Sequence, residues 1–270
     1  MILNLYANRS YNDINQYPVF PWIITDYSSD NLETQNSIRP LETPMGMLEI
    51  SEEAAERRKS FLSSWDACGN EKDPDEDFDR YRTHYSTSLY VTYYLVRVFP
   101  FSSIRIELQG KNFDDPNRLF NSLFDSFNCA VTQKADVREL VPEFFYLPEI
   151  FCNLNKLNLG NLKNKEKKTE TPVNDVKMPK WANYDPYIFV NKHRMLLEST
   201  EVNEKMNEWF NIIFGYKQKG SAAKKIGNLF LKQTYENFEE TYDKSDTKSK
   251  IYFCRLVEFG VTPHQIFRNE

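Results

Sequence analysis

His84, Tyr85 and Ser86 bring an imidazole and a hydroxyl within two positions of each other, the residue types of a general base and a nucleophile. Neighbouring side chains on one element point in different directions, however, and no Gly-x-Ser-x-Gly elbow exposes a serine. A buried, hydrogen-bonded His84 and a Ser86 that caps a helix are the plainer expectation. Glu143 and Glu149 bracket an aromatic run and could be imagined as an acid and base pair. Each follows a proline that opens a helical turn, where a carboxylate is favoured by the helix dipole, so a capping role is expected. A hydrolase acting on a lipid or phosphoester, built on His84, Ser86, Glu143 and Glu149, is the alternative reading; no residue is assigned as catalytic.

Metal and phosphate chemistry fare no better. The three histidines, His84, His193 and His264, are far apart, and Lys192-His193-Arg194 offers cations rather than ligands. Gly220 with Ser221, Ala222, Ala223, Lys224 and Lys225 lacks the spacing of a phosphate loop and reads as a helix start. No metal and no cofactor is expected. The four cysteines, Cys68, Cys129, Cys152 and Cys254, form no CxxC pair and read as buried, reduced thiols of a cytosolic protein. The lysines at 163, 165, 167 and 168 could touch anionic lipid, but Glu166 and Glu170 interrupt them, and a solvated loop is favoured.

These side chains sit in a 270-residue chain with 40% hydrophobic and 27% charged residues, a balance that folds, at a length where one domain is the default. Its 20 Phe and 16 Tyr suit a bulky core in which tyrosines keep a polar tip. A net charge of −5 repels phosphate backbones, which excludes nucleic acid as a partner. The longest nearly apolar run, Leu89 to Val96, is far short of the ~20 residues of a bilayer span, so any membrane contact is expected to be peripheral. Asn8-Arg9-Ser10 matches the glycosylation sequon only by chance in a chain with no secretory signal.

The first ~48 residues, rich in Pro, Asn, Asp and Ser, show no sustained period and read as irregular extended backbone packed by Tyr17, Phe20 and Trp22. Helices are expected over about Ser51 to Trp65 and Ser86 to Phe99, with acidic Glu71 to Asp79 a solvated loop between them. Asp115-Pro116 supplies a cap and a first-turn proline for what reads as the clearest helix, with Phe120, Leu123, Phe124, Phe127 and Val131 on one face. Asn153 to Asn183 is a polar connection, a flexible insertion over about 154–183 with room for a short hairpin. Asp185-Pro186 opens a helix towards Glu198. Thr200 caps another, which carries Val202, Met206, Trp209, Phe210 and Ile213 on one face and stops at Gly215. Shorter helices are expected at Ser221 to Phe230 and Ser245 to Phe259, and Thr262-Pro263 begins a final turn. The fold class is mainly α, one multihelical domain with extensive irregular extended segments in its core.

The run Arg9-Ser10-Tyr11-Asn12-Asp13-Ile14-Asn15-Gln16-Tyr17-Pro18-Val19-Phe20-Pro21-Trp22 closely resembles the start of the BEACH domain family. The resemblance continues in order through Thr83-His84-Tyr85-Ser86, Arg97-Val98-Phe99-Pro100-Phe101, Leu108-Gln109-Gly110 and Phe113 to Phe120. It resumes in Glu139 to Glu149, Lys192-His193-Arg194, Leu197-Glu198-Ser199, Phe214 to Gln218, Thr234-Tyr235-Glu236 and Thr262-Pro263. It implies one BEACH domain over 1–270, normally beside a PH-like domain and often before WD40 repeats in large trafficking proteins. It also implies a non-catalytic scaffold in vesicle fusion and fission, lysosome-related organelle traffic or autophagy, cytoplasmic and peripheral on endomembranes. Departures exist. Asn211 stands where the family has an aspartate, Leu231-Lys232-Gln233 replaces a His-Pro-Leu-like triplet, and Met1 to Asn8 matches only the end of the family's first helix.

On this reading the partners are a PH-like domain in the same or a related chain and trafficking proteins. Arg9, Asn12, Asp13, Gln16 and Tyr17 are the candidate contacts, because polar residues on irregular backbone can offer side-chain and main-chain hydrogen bonds alike. The same residues could instead satisfy buried backbone groups nearby. Trp209 is a further candidate, set against the ordinary role of an aromatic at helical spacing, which is core.

Overall fold

The computed structural model describes residues 1–33, 37–68, 81, 83–113, 115–164, 169–231, 234–235 and 260–269. It is mainly α. A short helix α1 (Ile2–Tyr6) leads into irregular backbone that runs through the middle of the molecule. Val19, Trp22, Ile23 and Ile24 on that segment are wholly buried. Isolated antiparallel bridges hold it, Phe20 to Leu140 and Ile24 to Ile38. The Asn4 side chain pairs with both main-chain groups of Val19, donating to its carbonyl at 3.0 Å and accepting its N–H at 2.8 Å. Irregular backbone packed by Tyr17 and Trp22 is thus what the Pro- and Asn-rich opening builds.

Helix α2 (Glu52–Cys68) starts where Ser51 Oγ accepts the Ala54 N–H at 3.2 Å, and it buries Ala54, Arg57 and Phe61 on one face. The helix expected over Ser86 to Phe99 is shorter, α3 (Ser88–Tyr94), and a separate helix follows it beyond Pro100, α4 (Phe101–Leu108). Pro100 explains the break, since it has no N–H to donate and disfavours helical backbone at the residue before it. The cap of α3 is Thr87, whose hydroxyl accepts the Tyr90 N–H at 3.2 Å; Ser86 does not cap. Asp115-Pro116 likewise opens only a single 3-10 turn, Pro116–Arg118. Helix α5 (Leu123–Thr132) begins later, capped by Ser122, so Phe120 precedes it and Phe124 lies half exposed beside the buried Leu123 and Phe127.

The polar connection does contain a hairpin, β1 (Asn161–Asn164) against β2 (Thr169–Pro172), antiparallel with Asn161 opposite Pro172. It is more anchored than its polarity suggests, because Leu159, Val173, Val176, Met178 and Trp181 are all buried. Asp185 caps α6 (Pro186–Leu197) by accepting the N–H groups of Tyr187 and Ile188 at 2.7 and 3.2 Å. Helix α7 (Thr200–Ile213) is capped by Ser199, one residue before Thr200, and buries Val202, Trp209, Ile212 and Ile213. Helix α8 (Gly220–Ile226) is shorter than expected and ends at Gly227, whose φ of +72° is the left-handed conformation that favours glycine. The helix expected over Ser245 to Phe259 and the acidic loop at 71–79 lie outside the described residues.

Irregular backbone in a core has no ladder to satisfy its carbonyls, and each one left bare costs free energy. Buried arginines do that work here. Arg57 donates to the carbonyls of Ala130 and Asp136 at 2.8 and 2.5 Å, and Arg97 to those of Asn174 and Phe120 at 2.8 and 2.6 Å. Arg105 reaches Leu89 at 2.9 Å. A guanidinium presents five donors in one plane, so a single side chain can tie together two chain segments that form no sheet. Arg39 anchors the centre, with Nη1 2.8 Å from each oxygen of Glu139. Glu139 in turn accepts the Trp22 main-chain N–H at 3.0 Å and Trp209 Nε1 at 3.1 Å. Around that pair the rings of Tyr27, Tyr94, Phe127 and Phe144 pack on Trp22 at centroid distances of 5.2 to 6.4 Å.

Candidate docking face

The candidate contacts of the 9–17 segment divide between interior and surface. Arg9 is wholly buried, donating from Nη1 to the Tyr17 carbonyl at 2.9 Å and from Nη2 to the Val261 carbonyl at 2.8 Å. Burial lowers its pKa to about 10, which still leaves it cationic at neutral pH. Asn12 and Asp13 are exposed and Gln16 half-buried. The Asp13 carboxylate shapes its own turn, with Oδ1 accepting the N–H groups of Asn15 and Gln16 at 2.9 and 3.3 Å. A further bond from Ser10 N–H to the Gln16 carbonyl at 2.9 Å closes the loop that holds Asn12 and Asp13 outward. Arg9 and Tyr17 therefore satisfy backbone and core groups and cannot touch a partner directly. Trp209 is placed the same way, 2% exposed with its indole N–H on Glu139, because the face of α7 that carries it packs on the core.

Beneath the loop sits a tyrosine cluster around one acid. Glu143 lies in the first turn of the 3-10 segment Pro142–Phe145, as its position after proline suggests, yet it makes no capping bond. Its carboxylate turns inward, and Oε1 accepts the Tyr17 hydroxyl at 2.6 Å and the Tyr146 hydroxyl at 3.3 Å. Burial pushes the Glu143 carboxyl above its usual range, with the two phenol bonds pulling the other way. Tyr11 packs edge-on to Tyr17 at 5.5 Å, Tyr17 edge-on to Phe101 at 6.1 Å, and the Tyr11 hydroxyl reaches Met1 Sδ at the start of α1 at 3.8 Å. Toward solvent, Tyr11 and Tyr146 are 42% and 51% exposed, and α1, whose cap residue Met1 meets the Tyr11 hydroxyl, leaves Ile2, Leu5 and Tyr6 open.

The residues of the hydrolase reading are not brought together. His84 is buried and stacks on Phe230 at 4.1 Å, but neither ring nitrogen has a hydrogen-bond partner among the described residues, and the Ser86 hydroxyl has none either. The expected hydrogen-bonded His84 is thus only half right. Its pKa is lowered well below the usual value by burial and by the nearby Arg9. Glu143 belongs to the tyrosine cluster, and Glu149 opens a separate 3-10 turn, Pro148–Phe151. His193 is not the surface cation its neighbours suggested: it stacks on Phe145 at 4.2 Å, and burial holds its pKa at about 4. Among the described residues no group of three His, Cys, Asp or Glu side chains could hold a metal. An open groove of about 820 Å³ lies elsewhere, lined by Arg118, Asn121, Asp125, Lys163 and Lys177, and includes none of these residues. No helix of the described residues is long and apolar enough to cross a membrane.

Glu139 and Tyr146 were the residues the sequence alone did not single out. Nothing in spacing marks Glu139, whose partners lie 100 residues away at Arg39 and 70 away at Trp209. Asn211, where an aspartate was expected, lies against Gly215; a Cβ at Gly215 would come 2.7 Å from the Asn211 Cα, so that glycine is needed for close approach as well as for stopping α7.

The comparisons agree on the family. The Beige/BEACH domain model matches residues 1–270. The chain is 39% identical over 273 residues to BEACH domain-containing protein B of Arabidopsis thaliana, covering all of this chain and 10% of that protein. It is 38% identical over 270 residues to Beige protein homolog 1 of Saccharomyces cerevisiae (98% and 12%). To a putative neurobeachin homolog of Caenorhabditis elegans it is 40% identical over 273 residues (98% and 10%). The chain thus spans about a tenth of the length of these relatives. With its ordered sequence blocks, irregular core and full-length family match, the chain belongs to the Beige/BEACH domain family.

Proposed function

We propose that the chain is a non-catalytic docking module of membrane trafficking, which presents a rigid face to a PH-like domain in the same or a related chain and to trafficking proteins. The observation that carries this reading is the pair Tyr11 and Tyr146, half exposed over the buried Tyr17 and Glu143. Interface energy concentrates in such large side chains set on rigid ground, with a polar rim that excludes water. Asn12, Asp13 and Gln16 border the aromatics and supply that rim. Family membership supports the trafficking role, in a cytoplasmic protein attached peripherally to endomembranes, and the large relatives leave ample chain for a PH-like neighbour. The hydrolase alternative finds no support in the arrangement of His84, Ser86, Glu143 and Glu149.

The test is binding of the purified chain to a PH-like domain supplied in trans, measured by calorimetry. Micromolar binding is expected, with Tyr146→Ala weakening it by about 30-fold, the scale of a hot-spot aromatic. No binding at high micromolar concentration, or binding by Tyr146→Ala and Tyr11→Ala as tight as that of the wild type, would overturn the reading.

A further inference from the structure

The carboxylate of Glu143 is only half used. Oε1 takes two phenol hydroxyls, whereas Oε2 is shut off from solvent and has no hydrogen-bond partner among the described residues. Neither protonation state removes the mismatch. An ionised group leaves Oε2 as a bare charged acceptor; a protonated one leaves an O–H with nothing to receive it. The groups that face Glu143 are the hydroxyls of Tyr17 and Tyr146 and its own backbone N–H, and among the described residues no Lys, Arg or His contributes a compensating charge to it. Buried acids of this kind are ordinarily paired.

Among the described residues the way from Glu143 to solvent is roofed by tyrosines. Tyr17 is fixed in the core, but Tyr11 and Tyr146 are each about half exposed, Tyr146 bonded to the acid and Tyr11 packed edge-on to Tyr17. Two aromatic faces beside a carboxylate form the environment that a guanidinium fills well, since its planar edge donates to the oxygen while its face lies on a ring.

We propose that Glu143, Tyr11 and Tyr146 form a pocket for an arginine side chain of the docking partner, with Glu143 Oε2 as the acceptor and the two tyrosines as walls that part to admit it. This rests on the reading of the surrounding face as a docking site, and it names the chemistry that the face selects: a protruding arginine on the partner's surface. Binding joins a desolvated cation to a desolvated anion, so it favours the ionised form of Glu143 and lowers its titration midpoint.

The experiment titrates the chain, labelled with ¹³Cδ-glutamate, with N-acetyl-arginine amide, using N-acetyl-norleucine amide as the apolar control. The Glu143 carboxyl resonance is identified as the one lost in Glu143→Gln. Saturable movement of that resonance by the arginine amide alone, with a lower titration midpoint, is expected. Binding should weaken at least about tenfold in Glu143→Gln, the loss of one hydrogen bond to a charged group. Tyr146→Ala, which leaves the Tyr17 to Glu143 bond untouched, should also weaken it and guards against a Glu143→Gln chain that fails to fold. Equal shifts from both amides, or arginine binding unchanged in both variants, would overturn the pocket. PH-like domain binding measured on the same samples separates the two ideas. A domain that binds wild type and Glu143→Gln alike, with no arginine effect, leaves docking standing and removes the pocket. Arginine capture at Glu143 without any domain binding does the reverse.

Discussion

Replacing Glu139 with glutamine tests whether the ion pair at the centre of the molecule is as desolvated as it looks. The substitution keeps shape and one acceptor oxygen but removes the charge opposite Arg39, whose side chain is wholly buried and whose Nη1 lies 2.8 Å from the carboxylate. Breaking a buried pair from one side costs about 3–5 kcal/mol, because the remaining charge has no water to return to. In either orientation the new amide also points N–H donors at Arg39 and at one more donor, the indole N–H of Trp209 or the main-chain N–H of Trp22, which adds to the loss. For a chain of this size that corresponds to a fall in Tm of roughly 6–20 °C. Urea denaturation followed by tryptophan fluorescence gives the free energy directly. The double variant Arg39→Met with Glu139→Leu removes both charges and should cost less than the sum of Arg39→Met and Glu139→Leu alone, by a few kcal/mol, since neither ion is stranded. A Glu139→Gln loss below about 1 kcal/mol, or strict additivity in the double variant, would show that Arg39 finds solvent or another partner and would refute the reasoning.

Three further outcomes follow from the same packing. His193, neutral in the fold down to about pH 4 against an ordinary 6.5, binds its proton more readily in the unfolded chain. Stability should therefore be unaffected by this group above pH 6.5 and fall as pH drops below it, by about 3 kcal/mol once pH 4 is reached. Urea midpoints across that window should flatten in His193→Gln but retain a residual slope from His84, which burial shifts the same way, while Glu143, shifted upward, acts with the opposite sign. Asp185→Ala leaves the N–H groups of Tyr187 and Ile188 without their acceptor and should cost about 1 kcal/mol in the same measurement, whereas Ser86→Ala should leave the start of α3 intact because Thr87 is its cap.

The parts of the fold legible in the sequence are those fixed by local rules. Asp185-Pro186 names its helix because cap and first-turn proline act within four residues, and the Val202 to Ile213 stripe names its buried face by period alone. Where a reading slipped, a second local rule competed with the first. Asp115-Pro116 satisfies every cap criterion, yet Ser122 starts the real helix, because Leu119 and Phe120 are extended into the core by packing that no window of sequence reveals. His193 looked cationic between Lys192 and Arg194, but adjacent residues on a helix point about 100° apart, and the direction His193 takes is the buried one. Resemblance to a family pointed to the 9–17 segment, yet only coordinates separate Arg9, which holds backbone, from Asn12 and Asp13, which reach solvent.

The least legible feature, the charged interior, also bears most directly on docking. Irregular segments keep no shape by themselves, since each residue fixed without a repeating ladder costs about 1–2 kcal/mol of conformational entropy. Arg9 offsets that cost at the proposed docking face by tying the Tyr17 carbonyl to that of Val261, 252 positions along the chain from Arg9, and Glu139 does so at the centre by joining Arg39, Trp22 and Trp209. A surface held in this way meets its partner already ordered, so binding need not supply the ordering free energy. Arginine and glutamate in the core of an acidic, aromatic-rich chain are then not a departure from hydrophobic folding. They are what allows extended, functionally adaptable backbone to be as rigid as a helix beneath Tyr11 and Tyr146.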